Sequence, residues 1–198
     1  MKYFVGIDEV GRGPLAGPVC IGLCILPKNK LKAVWSIIKD VKDSKQLSEI
    51  ERNLWLRKMK DLRNAGAIDY YVSFVSHKII DRNGIAGAIR LAIKKTITKA
   101  KLKTNYCEIF LDGSLYAPKE FKNQKTIIKG DEKVPIIALA SIVAKVRRDE
   151  RMKKLAKKYP GYDFEINKGY GTKNHIKALK KLGPSGIHRR SFISKITA

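Results

Sequence analysis

Tyr3-Phe4-Val5-Gly6-Ile7-Asp8-Glu9 is a short apolar run that closes on two acids. The stretch Gly11 to Pro18, dense in glycine and proline, then turns the chain toward a second apolar run, Val19 to Leu26. Strand-favouring residues punctuated in this way predict a β-hairpin, the first strand ending at Asp8-Glu9, with its carboxylates near the turn. If the strand continues through both acids, Asp8 and Glu9 point to opposite faces, which leaves Glu9 a weak ligand, a backbone ligand or none.

Working outward, Ser48-Glu49-Ile50-Glu51 has the capping-box pattern and predicts a helix from about Ser48 to Arg63, stopped by Gly66. Ala67 to Val75 reads as a strand, and Ile85 to Ala100 as a helix with apolar residues on one face and lysines on the other. Two short strands follow, Tyr106 to Leu111 running into Asp112-Gly113 and Lys125 to Lys129 running into Gly130-Asp131. Ile136 to Lys158 is the longest helical pattern, stopped by Pro160-Gly161, and a last helix spans about Thr172 to Leu182. There is no repeat, linker or break in composition before about residue 160. An α/β domain over residues 1–160, with a basic C-terminal extension over residues 161–198 and a soft boundary, is therefore expected.

Lysine and arginine total 42 against 18 acids, a formal net charge of +24. A field of that sign and size attracts polyanions, and nucleic acid is the first candidate. No segment reaches the roughly eighteen uninterrupted apolar residues of a membrane span, and the N-terminus lacks a signal-peptide pattern, so a soluble intracellular protein is expected. Cys20, Cys24 and Cys107 lie in apolar runs and form no C-x-x-C pair, which reads as buried reduced thiols. No phosphate-loop motif, zinc-finger spacing or H-E-x-x-H occurs. His77, His175 and His188 stand far apart, and the latter two read as substrate-packing or surface residues.

Acids are scarce, yet Asp8 with Glu9, Asp112 and Asp131 all stand where a strand pattern gives way to glycine. Taken singly, Asp112-Gly113 and Gly130-Asp131 are ordinary turn formers. Together, strand-end carboxylates converging on one sheet edge would repel one another unless divalent cations sat between them. Oxygen-only ligation favours Mg²⁺ or Mn²⁺, and two such ions can hold a phosphodiester in line with an attacking water. A non-catalytic nucleic-acid binder is the rival, since charge and interspersed tyrosines alone would account for binding. Such a binder has no use for strand-end carboxylates.

The run from Asp8 to Val19 resembles the N-terminal signature of the type 2 ribonucleases H, the ribonuclease HII family. The resemblance continues in family order through Asp43-Ser44-Lys45-Gln46-Leu47-Ser48, Leu111-Asp112-Gly113, Lys129-Gly130-Asp131, the segment Ala140 to Asp149, and Gly169-Tyr170-Gly171-Thr172. It implies a ribonuclease-H-like mixed β-sheet flanked by helices, with a helical C-terminal extension completing the substrate groove. It implies Asp8, Glu9, Asp112 and Asp131 as catalytic, metal-binding carboxylates, with Asp149 the alternative to Asp131. Gly11, Arg12 and Gly13 would form the loop that touches the ribose 2′-hydroxyl, and Tyr170 would pack on the deoxyribose after it. Lys45 and Arg12 would contact phosphates. The implied reaction is metal-dependent hydrolysis of RNA–DNA hybrids, and incision 5′ to ribonucleotides in duplex DNA, leaving 3′-hydroxyl and 5′-phosphate ends. A monomeric, cytoplasmic enzyme is expected, with contact to a replication clamp left open.

Overall fold

The computed structural model describes residues 2–197. Five strands, β1 (Tyr3–Val10), β2 (Val19–Pro27), β3 (Asp69–Val75), β4 (Cys107–Asp112) and β5 (Gln124–Ile127), form one mixed sheet in the order β3-β2-β1-β4-β5. The helices are α1 (Leu31–Ile38), α2 (Glu49–Asn64), α3 (His77–Lys99), α4 (Gly130–Lys133), α5 (Pro135–Ala156), α6 (Phe164–Asn167), α7 (Lys173–Leu182) and α8 (Arg190–Thr197). This is the α/β architecture the sequence predicts.

Strand β1 pairs antiparallel with β2, and β2 with β3, whereas β4 runs parallel to β1 and β5 parallel to β4. The C-terminal ends of β1, β4 and β5 therefore share one edge of the sheet, the edge where open α/β sheets hold their ligands. Period-two alternation sorts the side chains. Val5, Ile7, Ile21 and Leu23 pack with Ile89 and Ile93 of α3 on one face. Cys24 and Leu26 pack with Leu139 and Val143 of α5 and Met59 of α2 on the other.

Helix α5 lies directly on the sheet because two strand positions lack a side chain. A Cβ on Gly6 would come within 2.2 Å of the Ile136 carbonyl oxygen, and one on Gly22 within 2.1 Å of that of Ala140. Gly22 is opposite Asp8 in the β1–β2 register, so this close seat puts the next α5 residue, Ser141, beside Asp8.

Several boundaries differ from expectation. Strand β1 runs through both acids to Val10, because its ladder with β2 continues to Val10↔Cys20. The helix predicted from Ile85 is the second part of a longer one that starts at His77 and breaks at Gly84 (φ 69°, ψ 164°). Helix α1 was not foreseen, and Leu182 does not end the last helix, since α8 follows it. Ser48 caps α2 with the reciprocal capping box predicted for it. The three cysteines are free and buried, and no helix among the described residues is long and apolar enough to cross a membrane.

Candidate active site

The parallel strand ends gather the carboxylates. Asp8, Glu9 and Asp112 each offer an oxygen, all within 4.8 Å of one another. The Leu111↔Ile7 pair is the last rung of the β1–β4 ladder, so Asp8 and Asp112 are the next residues along two adjacent strands. Asp8 and Glu9 leave the sheet on opposite faces, but at the sheet's edge both still reach the space beyond Asp112.

Asp131 sits in the first turn of α4 rather than at the end of β5, which stops at Ile127. Its attachment is through backbone: Asp112 Oδ1 accepts the Gly130 N–H at 2.7 Å and the Asp131 N–H at 3.4 Å. Its carboxylate receives Lys45 Nζ at 2.8 Å. Lys45 also lies 3.8 Å from buried Asp43, so the Asp43-Ser44-Lys45 segment is part of the same cluster. Ser44 adds a 2.7 Å hydrogen bond to Ser141, the hydroxyl that meets Asp8. Asp43, Ser44 and Ser141 were not among the predicted site residues. Their signal was present in the motif segments, but not in any charge or spacing argument.

Electrostatics set what this cluster can hold. Burial raises the Asp8 pKa well above its usual range, and the charges of Glu9 and Asp112 push it further. Hydrogen bonds from Ser141 and the Glu9 N–H only partly oppose this. Burial also raises Glu9, with Arg12 pulling down and Asp112 pushing up. Arg12 stands 3.6 Å from Glu9 Oε1, while Glu9 Oε2 is buried without a hydrogen-bond partner among the described residues. Buried carboxylate oxygens are seldom left unpaired. A cluster of repelling carboxylates with one orphaned oxygen and no nitrogen or sulfur donor fits a hard divalent cation.

Asp149 is engaged by a base on its own helix. It accepts Lys145 at 3.0 Å one turn back, while Glu150 takes Arg147. Their neighbour Arg148 takes no part in these ion pairs. It is fully buried and donates to the carbonyls of Pro18 (3.0 Å), Lys168 (3.0 Å) and Ala16 (3.4 Å).

A second structure flanks the acids. The Gly11–Pro18 loop is clasped by the C-terminal segment: Leu15 N–H donates to Gly169 at 2.8 Å, Gly17 N–H to Ile187 at 2.9 Å, and Ala16 bridges to His188. Gly169 is required there, because a Cβ on it would meet the Ala16 oxygen at 2.5 Å and its φ is +86°. Tyr170 is consequently held beside the loop, 40% exposed, with Lys145 and Arg148 5.9 and 5.7 Å from its ring centre. Arg12 and Gly13 are exposed on this side.

His175 and His188 do not sit on the surface or face a substrate. Both are buried, with Nε2 atoms 3.0 Å apart, against the rings of Phe164 and Tyr162. Burial lowers both pKa values, His188 to about 4, so the pair is neutral and holds α7 to the clasp.

The chain is similar to known proteins in both sequence and fold. A family profile described as Ribonuclease HII matches residues 5–195. The Ribonuclease HII of Endomicrobium trichonymphae is 47% identical over 187 residues, 94% of this chain and 83% of that relative. The ribonuclease H2 of Pyrococcus horikoshii OT3 superposes with a TM-score of 0.73 at 29% identity, covering 98% of this chain and 97% of that one. Two more distant structures share the fold. The RNase HII of Archaeoglobus fulgidus, solved in complex with PCNA, is 24% identical with a TM-score of 0.72, over 98% of this chain and 97% of that one. Bst-RNase HIII, solved in complex with Mn²⁺, is 16% identical with a TM-score of 0.71, over 99% of this chain and 69% of that one.

Proposed function

Because the chain belongs to the ribonuclease HII family and is thus a ribonuclease H, we propose that it cleaves the RNA strand of RNA–DNA hybrids and incises DNA 5′ to single embedded ribonucleotides. The observation that carries this reading is the convergence of Asp8, Glu9 and Asp112 within 4.8 Å, with Asp131 tied to Asp112 and one carboxylate oxygen orphaned.

Asp8, Glu9, Asp112 and Asp131 would hold two divalent cations, Mg²⁺ or Mn²⁺, which supply Lewis acidity and a lowered water pKa at the scissile phosphate. Mn²⁺ in Bst-RNase HIII supports a divalent ion in this fold. The chain's own residues do the rest. Lys45 holds the Asp131 carboxylate and, 73% exposed at its side chain, is free at its solvent side to meet a phosphate. Arg12 stands over Glu9 and likewise faces outward. The amides of the Gly11-Arg12-Gly13 loop read the 2′-hydroxyl, a group that distinguishes RNA from DNA. Tyr170 packs on the sugar that follows, where a further hydroxyl would crowd it. The 2′-hydroxyl is recognised and does not attack, so the products carry 3′-hydroxyl and 5′-phosphate ends. Residues 161–198 complete the groove wall as an extension of the domain formed by residues 1–160. The enzyme acts as a cytoplasmic monomer, and the PCNA-bound structure of the Archaeoglobus enzyme makes a replication clamp the partner to test.

The deciding experiment uses an end-labelled duplex containing one ribonucleotide, incubated with Mg²⁺, Mn²⁺ or EDTA beside an all-DNA control. Incision only 5′ to the ribonucleotide, only with metal, is the expected result. A 2′,3′-cyclic phosphate product, full activity in EDTA, or binding without incision would each overturn the proposal.

A further inference from the structure

Arg189 is wholly buried, yet no carboxylate lies within ion-pair distance of its guanidinium among the described residues. It donates instead to three backbone carbonyls of one loop: Nε to Gly17 at 3.0 Å, Nη1 to Arg12 at 2.9 Å and Nη2 to Gly11 at 2.6 Å. Its own N–H donates to Leu15 at 2.8 Å. A second unpaired buried guanidinium, that of Arg148, lies close enough to destabilise its charge. Burying an unpaired cation is costly, and an apolar side chain of similar volume would normally serve packing better. The compensation here lies in what the three carbonyls fix.

A trans peptide is planar, with its C=O and N–H pointing in opposite directions. Turning the Gly11 and Arg12 carbonyls inward onto Arg189 therefore turns the Arg12 and Gly13 N–H groups outward. Neither N–H meets an acceptor among the described residues, and both residues are exposed. Gly13 supplies an independent sign that something external comes here. Its φ is not positive and a Cβ built on it would meet nothing within 4 Å, so neither backbone strain nor internal packing explains the missing side chain.

The geometry points to Arg189 as a positioning residue: by holding the Gly11 and Arg12 carbonyls it aims the Arg12 and Gly13 amides at the substrate sugar, and so sets the preference for ribose over deoxyribose. Arg148, packed directly against Gly11, backs the loop; a Cβ at Gly11 would lie 2.1 Å from its Nε. This inference rests on the proposal that the loop reads the 2′-hydroxyl, and the test separates the two.

The measurement is the ratio of dissociation constants for two duplexes, all-DNA over one bearing a single ribonucleotide, with Ca²⁺ in place of Mg²⁺ to suppress turnover. It is made on the full chain and on Arg189→Met, Arg189→Lys and Gly13→Val, each shown folded by its melting transition. Arg189→Met is expected to lower the ratio by about fivefold or more, the worth of at least one ordinary hydrogen bond. Arg189→Lys keeps the charge but cannot span three carbonyls, and should fall between. A loss of stability alone would weaken binding to both duplexes and leave the ratio unmoved. If Gly13→Val abolishes the preference while folded Arg189→Met keeps it, Arg189 has no positioning role although the loop reading stands. If the unaltered protein shows no preference, or Gly13→Val retains it, the loop reading itself fails. Should Arg189→Met not fold, Arg189→Lys decides: an undiminished ratio overturns the proposal.

Discussion

Replacing Asp112 by asparagine separates the charge of the acidic centre from its shape. Asparagine keeps the Oδ1 acceptor that takes the Gly130 N–H at 2.7 Å, so α4 and Asp131 should stay in place. What is lost is one negative charge among three carboxylates whose oxygens lie within 4.8 Å. Two unit charges at that distance repel by roughly 3.5 kcal/mol at an effective dielectric of about 20 and by roughly 0.9 kcal/mol in bulk water. Glu9 and Asp112 are only partly buried and Asp8 resists ionisation, so a relief of about 1–2 kcal/mol is expected in the absence of metal. For a chain of this size that corresponds to a melting temperature raised by about 2–8 °C. Turnover on the ribonucleotide-bearing duplex should fall by more than roughly 100-fold, beyond the usual effect of losing a group that merely supports a ligand. Thermal denaturation in EDTA and in Mg²⁺ reads the first effect, and cleavage of the labelled duplex reads the second. The unaltered protein should gain more from Mg²⁺ than the variant does. A variant that melts lower in EDTA, or that retains normal turnover, would refute the idea that these carboxylates are a repulsive cluster completed by cations.

Tyr170→Ala should leave Mg²⁺ dependence intact while eroding the preference for a deoxyribose after the ribonucleotide; an unchanged preference on duplexes with one and with two successive ribonucleotides would count against its role. The raised Asp8 pKa has a signed consequence: its contribution to metal-free stability is full below the ordinary value of 3.8 and is lost as pH rises through the raised value. Asp8→Asn should therefore flatten that decline in EDTA, and identical pH–stability slopes would contradict it. For His188 the sign is opposite, since a base held at about 4 rather than 6.5 contributes stability above 6.5 that disappears as pH falls toward 4. Limited proteolysis at decreasing pH should open the 185–197 segment before the sheet core, and uniform resistance would exclude this. Raising salt should weaken binding to DNA steeply, each phosphate contact contributing about −0.9 to the slope of log K against log salt.

The fold was legible where side-chain period follows backbone period. Val5, Ile7, Ile21 and Leu23 lie in apolar runs separated by a glycine- and proline-rich turn and declare paired strands, and Ser48 with Glu51 declares a helix start, because both signals are local. Helix α1 was missed although Leu31, Val34, Trp35 and Ile38 have helical spacing; the loop-like lysines around it masked a signal that was there. The position of α5 was not legible, since nothing in Gly6 or Gly22 says which backbone each admits. Its partner carbonyls lie more than a hundred residues away.

The same division runs through the site. Acids among so many bases are conspicuous, and parallel strands must deliver their ends to one edge, so the carboxylate cluster can be argued from sequence. The loop proposed to recognise the sugar presents backbone groups, which every sequence possesses. Arg148 and Arg189 stand among 42 basic residues and look like two more solvated charges. They are instead buried and spend their donors on carbonyls of residues 11, 12, 16, 17, 18 and 168. A rule that treats charge as exposure must fail there, because guanidinium can exchange water for a set of carbonyls when the chain supplies them in a fixed fork. A surface cation tunes affinity for any phosphate backbone. On the reading proposed above, a buried one that holds the Gly11–Pro18 loop tunes which sugar that loop accepts, and discrimination then resides in positions that the charge pattern conceals.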